Sequence, residues 1–390
     1  MSRSSILVIE FYCRGQSHIP FNLGYLATLR AAYPNKQINF YAEERHIEAL
    51  EANGVASLSI NLHIGPTHVS VTNPGSSIYE RELSGHRCIS FMLTAIERHD
   101  ASFVGTFGVT PDLLRAIRWQ WSKNLPHLDI VLHAPLMFLD QWRSKNPLRR
   151  YFDFPAEMSK RMPTNVRFIT LENAIKKKLT ERITCRQHDT FLLEHPINNG
   201  VQVMLSSGID EKLERPLQVG FLGAANEAKG FSLFLELANK FACNGMKFHA
   251  VGWAGKNWKD SLGVNLATKP AREMLPRENY LAIVRTLDVV ILPLEKKIYD
   301  WLASGTLIDC IEHGVPVIIS TNNVINDIET RHGPIGVVCS KRSDFFDFFE
   351  KNSITKIKKI NSEFLKNMSE IRAARNPEKL AEIYPGLKLR

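Results

Sequence analysis

The chain has 390 residues, of which 44% are hydrophobic and 23% charged. This composition excludes extended disorder, and the length favours two domains of roughly 150–200 residues over a single core. The net charge of +9 points to an anionic partner such as a nucleotide, a lipid phosphate or a membrane surface, and the lack of any long apolar run excludes a membrane-spanning helix.

In chain order, Met-Ser-Arg-Ser-Ser leads into a short apolar strand at Ile6–Phe11, too short for a secretory signal. A loop rich in polar residues follows, then a helix from Asn22 to Arg30 with Asn22 as its cap. Further strands are expected at Ile38–Tyr41, Phe103–Phe107, Ile130–His133 and Val166–Leu171. The pattern loosens between 197 and 215 into a linker. It restarts with a strand at Leu217–Gly223, a helix at Phe231–Phe241, a strand at Lys247–Val251, a helix at Asn279–Arg285 and a strand at Val289–Pro293. A helix at Leu307–His313 and a strand at Pro316–Ser320 complete the series, and basic amphipathic segments from Asp344 to Tyr384 read as closing helices. Alternation of this kind predicts an α/β protein with parallel sheets, made of two tandem doubly wound, Rossmann-like domains. The expected boundaries are 1–205, 206–365 and a C-terminal helical segment, 366–390, that packs back on the first domain. Ligands of such domains bind beyond the carboxyl ends of the strands, so the function is sought in an interdomain cleft.

Two stretches carry chemistry suited to a phosphate. In Val219–Phe231, Gly223 permits a sharp turn and close approach of the backbone, and Lys229 places a cation beside a helix start. The spacing matches neither a Walker A loop nor Gly-x-Gly-x-x-Gly. In Asp300–Ser320, Ser304, Gly305 and Thr306 precede an apolar helix whose first N–H groups lack intrahelical partners. Asp309, in that helix's first turns, has the reach to accept paired hydrogen bonds from a ribose diol. Each stretch has a plainer alternative: a turn glycine with an exposed lysine, and an aspartate bonded to backbone.

These stretches, in this order and joined by R-T-L-D-V-V-I-L-P, resemble the donor domain of glycosyltransferase family 4 in the GT-B fold; the likeness covers Val219–Ser320 well. The resemblance implies that Gly223, Lys229, Ser304, Gly305 and Thr306 hold the diphosphate of a nucleotide-sugar and that Asp309 takes the place usually held by the ribose-binding Glu. It also implies transfer with retention, with Lys229 stabilising the departing diphosphate, and a UDP- or GDP-sugar as the expected donor. No cofactor is expected, and no Asp-x-Asp motif is present to hold a metal. Ala224 stands where the family commonly has Arg, and Trp301 stands where it has the Glu that contacts the sugar.

In the first half, His133 in Leu128–Pro135 resembles the family's strand-end histidine beside the donor sugar, and Gly15, Gln16 and His18 resemble its acceptor loop. His195 before the linker reads as part of a turn. Basic clusters at Trp142–Arg150, Lys176–Lys178 and Lys351–Lys359 suit either solvated surface or an acceptor that is polyanionic or lipid-linked at an anionic membrane face, as in surface polysaccharide assembly. Nucleic acid is the lesser reading, since no zinc finger, helix-turn-helix or aromatic-interleaved basic groove is present. Six cysteines without metal spacing point to reduced thiols and a cytoplasmic setting. Two other readings remain open on these residues, a non-catalytic nucleotide- or glycan-binding protein and a sugar-nucleotide epimerase.

Overall fold

Runs such as Ile6-Leu7-Val8-Ile9 and Val289-Val290-Ile291-Leu292 are buried on both faces, the pattern of parallel strands covered by helices on either side. The computed structural model of the chain describes residues 5–133, 135–141, 145–146, 153–182, 189–197, 215–254, 265–359 and 361–384. Most of the expected linker at 197–215 and the basic cluster Trp142–Arg150, apart from Lys145 and Asn146, lie outside them. No helix among the described residues is long and apolar enough to cross a membrane.

The chain divides into two units, Met1–Pro196 with Trp301–Ala303 and Pro377–Arg390, and Ile197–Asp300 with Ser304–Asn376. The first contains a seven-stranded parallel sheet of β1 (Ser5–Glu10), β2 (Gln37–Ala42), β3 (Asn61–Ile64), β4 (Ala101–Phe107), β5 (His127–Val131), β6 (Val166–Thr170) and β7 (Asp189–Leu192). Its order is β3-β2-β1-β4-β5-β6-β7, so the direction of winding reverses between β1 and β4. Ile6, Val8, Phe40, Phe103 and Phe107 meet Tyr25, Leu26 and Leu29 of the Ile19–Ala32 helix in its core. Each such side chain contributes about 1.5–3 kcal/mol on burial.

The second unit has a five-stranded parallel sheet of β8 (Leu217–Leu222), β9 (Met246–Val251), β10 (Val289–Leu292), β11 (Val317–Ser320) and β12 (Gly336–Cys339) in the order β12-β11-β10-β8-β9. Winding reverses here between β8 and β10. Phe231, Phe234, Leu237 and Phe241 form the apolar face of the Phe231–Phe241 helix and pack on Phe221, Phe248, Ile291 and Phe349.

The helical end of the chain behaves in two ways. The Asn361–Ala374 helix packs against the Gly305–His313 and Asn323–His332 helices of the second unit. The Pro377–Ile383 helix belongs to the first unit and lies on the Ile19–Ala32 helix, so the segment that returns to the first unit starts at Pro377 and not at 366. Tyr384 anchors it there. Buried beside Phe103, its hydroxyl lies 3.1 Å from that of Tyr25 and donates to Asp129.

Candidate functional site

In the second unit the chain leaves β8 at Gly223, where φ is +90°, a conformation that L side chains rarely adopt. Its N–H donates to the Val251 carbonyl (2.8 Å), which ties the turn to the end of β9. Asn226 then closes a short 3₁₀ turn by accepting the Lys229 N–H at 3.0 Å, and Gly230, at φ +69°, starts the Phe231–Phe241 helix. This tight return brings Lys229 back over the turn glycine. A Cβ on Gly223 would lie 2.5 Å from Lys229 Nζ and 3.0 Å from Thr306 Cγ2. Gly223, Lys229 and Thr306 therefore converge at the carboxyl ends of β8 and β10, beside the reversal of winding where doubly wound sheets take ligands.

Thr306 lies in the first turn of the Gly305–His313 helix. Ser304 caps that helix by accepting the Leu307 N–H at 3.3 Å, and its hydroxyl is 3.0 Å from that of Thr306. The first intrahelical bond runs from Ile308 N–H to the Ser304 carbonyl at 3.0 Å, so helical geometry offers the N–H groups of Gly305 and Thr306 no acceptor. A Cβ on Gly305 would meet nothing within 4 Å. Two N–H donors at the positive end of a helix and a lysine ammonium thus share one corner, an arrangement suited to phosphate oxygens. Burial brings the Lys229 ammonium down to about 8, partly opposed by the charge of Asp309. Among the described residues no ion pair to Lys229 is formed.

Asp309 is buried on the same helix, with both carboxylate oxygens engaged. Arg277 Nη2 donates to Oδ1 at 2.6 Å and the Tyr280 hydroxyl donates to Oδ2 at 2.9 Å. Neither partner was visible from the motif, because both come from the Arg277–Val284 helix, thirty residues upstream in order of magnitude. At the far end of the Gly305–His313 helix, both ring nitrogens of His313 are buried with no hydrogen-bond partner among the described residues, and burial lowers its imidazole to about 4. A histidine that binds its proton less well folded than unfolded removes stability as the pH falls from 6.5 towards 4. His313→Leu is therefore expected to gain roughly 3 kcal/mol on wild type between pH 7 and pH 4. Urea midpoints of both proteins at the two pH values check this; a gap independent of pH would contradict it.

The first unit gathers a different set. The helix expected from Asn22 starts at Ile19, because Pro20 suits its first turn. Asn22 is accordingly not its cap: it is buried inside the helix, and its Nδ2 donates to His46 Nε2 at 2.7 Å. The loop between β1 and this helix holds Gly15 at φ +50° and His18 at φ +57°, with Gln16 half-buried between them. Gly15 is pinned at both ends, its N–H donating to Glu43 at 3.3 Å and its carbonyl accepting from His46 Nδ1 at 2.8 Å. His133 lies beyond β5, which ends at Val131, so it stands past the strand and not at its last residue. Its ring meets His18 edge-on at 4.1 Å between centroids and Phe21 at 4.8 Å, with His195 at 6.2 Å. Burial, with the charges of His18 and His195, holds the His133 imidazole well below its usual range, so it is neutral at pH 7. Glu10, at the end of β1, was not singled out by its motif. Burial pushes its carboxyl up to about 7 against the hydrogen bonds it accepts from the Tyr12 and Cys13 N–H groups.

Trp301 is fully buried and packs with the first unit. Its indole N–H donates to Asp140 at 2.6 Å and Lys178 Nζ lies 4.1 Å from its ring centroid. Lys178, read from sequence as part of a surface cluster, is thus spent on a cation–π contact and on Asp140 at 3.3 Å.

No family model matches the sequence, and a search of curated proteins finds no match. Among solved structures the chain is similar to the sucrose-phosphate synthase of Thermosynechococcus elongatus, at 13% identity and a TM-score of 0.65 over 98% of this chain and 97% of the other. The GT-B architecture of two Rossmann-like domains follows from this likeness together with the two parallel sheets. The chain has the GT-B fold. It is also similar to a trehalose-6-phosphate synthase studied for glycosyl transfer with retention, at 9% identity and a TM-score of 0.63 over 97% of each chain. A third structure, WaaG, a glycosyltransferase involved in lipopolysaccharide biosynthesis, shares 12% identity at a TM-score of 0.60 over 98% of this chain and 100% of that one. At these identities the likeness is one of fold.

Proposed function

We propose that this GT-B chain is a glycosyltransferase that moves a sugar from a nucleoside-diphosphate sugar, UDP- or GDP-linked, to a hydroxyl of a glycan or lipid-linked acceptor. The observation that carries the reading is the convergence of Lys229 with Gly223 and with Thr306 at a helix start. As the bond from the anomeric carbon to the diphosphate breaks, negative charge grows on the leaving oxygens. An ammonium and fixed N–H dipoles at that spot stabilise the transition state more than the ground state. Asp309 takes the ribose, and the neutral His133 is suited to hydrogen-bond a sugar hydroxyl without adding charge. Gly15, Gln16 and His18 belong to the acceptor.

Retention of configuration is part of the proposal. The acceptor proton then passes to the departing diphosphate, and no carboxylate is needed as base. The net charge of +9 suits a polyanionic or membrane-bound acceptor in surface polysaccharide assembly at an anionic membrane face.

The test is release of nucleoside diphosphate from a panel of UDP- and GDP-sugars, with and without soluble glycans and lipid-linked saccharides. Release that depends on an acceptor, with a glycosylated product of unchanged anomeric configuration, is the expected result. Conversion of the donor sugar without an acceptor would replace the reading by an epimerase. Binding of donors without turnover on every acceptor would replace it by a non-catalytic binding protein.

A further inference from the structure

Arg277 and Tyr280 are three residues apart in the Arg277–Val284 helix and so lie on one of its faces. Both reach the same carboxylate on the Gly305–His313 helix. Arg277 donates to Asp309 Oδ1 at 2.6 Å, and Tyr280 donates to Oδ2 at 2.9 Å. The guanidinium also stacks over the Tyr280 ring at 5.2 Å, which fixes the two donors relative to each other. Glu312, one turn along from Asp309, is 3.8 Å from Arg277, so of the two carboxylates the arginine bonds directly to Asp309.

A carboxylate has four acceptor positions, two on each oxygen. The clamp uses one on each, and one remains on each. Two free acceptors on one rigid, planar group match the two hydroxyls of a ribose diol. Without the clamp, the Asp309 side chain, which is only 10% exposed, would lose the two hydrogen bonds that hold its carboxylate. Tyr280 is wholly engaged in this contact and its ring is buried. Arg277, at 17% side-chain exposure, reaches from the surface to the acid.

We infer that Arg277 and Tyr280 are positioning residues that lock Asp309 into the rotamer that reads a ribose diol, and so make the donor site prefer ribonucleotides to deoxyribonucleotides. This rests on the donor reading proposed above. It adds two residues to the site and a specificity that the motif alone does not contain.

The experiment is titration calorimetry of the full chain with UDP and 2′-deoxy-UDP, and with GDP and 2′-deoxy-GDP. In wild type the ribonucleotide is expected to bind about 10–100-fold more tightly, the range for a hydrogen bond to a charged group. Arg277→Ala and Tyr280→Phe are each expected to reduce that ratio by at least about fivefold, with the deoxynucleotide affinity changed by less than about twofold. Arg277→Lys should restore part of the ratio. Tyr280→Phe removes one oxygen only and keeps the ring, so it reports even where Arg277→Ala disturbs folding. Equal loss of affinity for both nucleotides in the two variants would overturn the inference and leave Arg277 and Tyr280 as general supports. Wild-type chain that binds a ribonucleotide and its deoxy form equally would overturn it as well, while leaving the diphosphate reading in place. Wild-type chain that binds neither would overturn the donor reading, and this inference with it.

Discussion

Lys229→Met should raise the stability of the second unit and at the same time weaken its affinity for a nucleoside diphosphate. Burial brings the ammonium down to about 8 from its ordinary value of 10.5, so below pH 8 the folded chain carries a charge that it holds less well than the unfolded chain does. Removing that charge relieves the penalty, which we put at about 1–3 kcal/mol because the side chain keeps some access to solvent. The advantage of the variant is complete below pH 8 and disappears as the pH rises towards 10.5. Binding moves the other way. Loss of charge-assisted hydrogen bonds to the diphosphate costs about 1.5–3 kcal/mol, a factor of roughly 10–150 in Kd. In wild type the same linkage makes affinity fall as the pH passes 8, because the ligand prefers the protonated lysine. Calorimetric titrations between pH 6.5 and 9.5, with melting curves of both proteins, test the two halves together. A variant that is both less stable and unchanged in affinity would show that Lys229 serves the fold. Gain of stability on loss of a binding group is the mark of a residue kept for its ligand.

Asp129→Ala is expected to be the most damaging single change in the first unit. Asp129 on β5 is fully buried and faces Arg167 across the β5–β6 register. Arg167 donates to both its oxygens, at 2.8 and 2.6 Å, and His127 and Tyr384 donate as well. Burial alone would raise this carboxyl, but the hydrogen bonds from His127 and Arg167 together hold it below the usual carboxylate range. Truncation removes the carboxylate to which Arg167, whose side chain is 8% exposed, donates twice, and breaking a buried pair in this way costs about 3–5 kcal/mol. It also releases the Tyr384 hydroxyl, so amide exchange in the Pro377–Ile383 helix should accelerate before the rest of the unit does. Urea unfolding gives the first quantity and hydrogen exchange the second. A cost below about 1 kcal/mol would mean that the ion pair is dispensable.

The alternation from Leu217 to Ser320 was legible because parallel strands buried on both faces read as short apolar runs, and the helices between them carry one apolar stripe. Strands β3 and β7 have no such signal. Asn61–Ile64 is only partly buried and Asp189–Leu192 is a short edge strand at the end of the sheet, so neither produces an uninterrupted apolar run. Within the second unit, Gly223, Lys229, Ser304 and Asp309 stand out because turn glycines, caps and lone charges beside apolar runs are local features. Arg277 and Tyr280 do not stand out, since the meeting of their helix with Asp309 is a tertiary event. The same holds for the edge-on contact of His18 with His133, which required the loop after β1 and the segment after β5 to come together. Trp301 departs from the pattern it resembles, and only its packing with Asp140 and Lys178 explains the large apolar side chain at that place.

The central claim is that one corner of the second unit holds a nucleoside diphosphate by Lys229 and Asp309. A thermal-shift screen of UDP, GDP, CMP, ADP and dTDP on wild type, Lys229→Ala and Asp309→Ala tests it most directly, since a ligand that binds only the folded chain raises its melting temperature. The account predicts that one nucleoside diphosphate shifts wild type and shifts neither variant. No shift of wild type with any of the five, or the same shift in all three proteins, would contradict it.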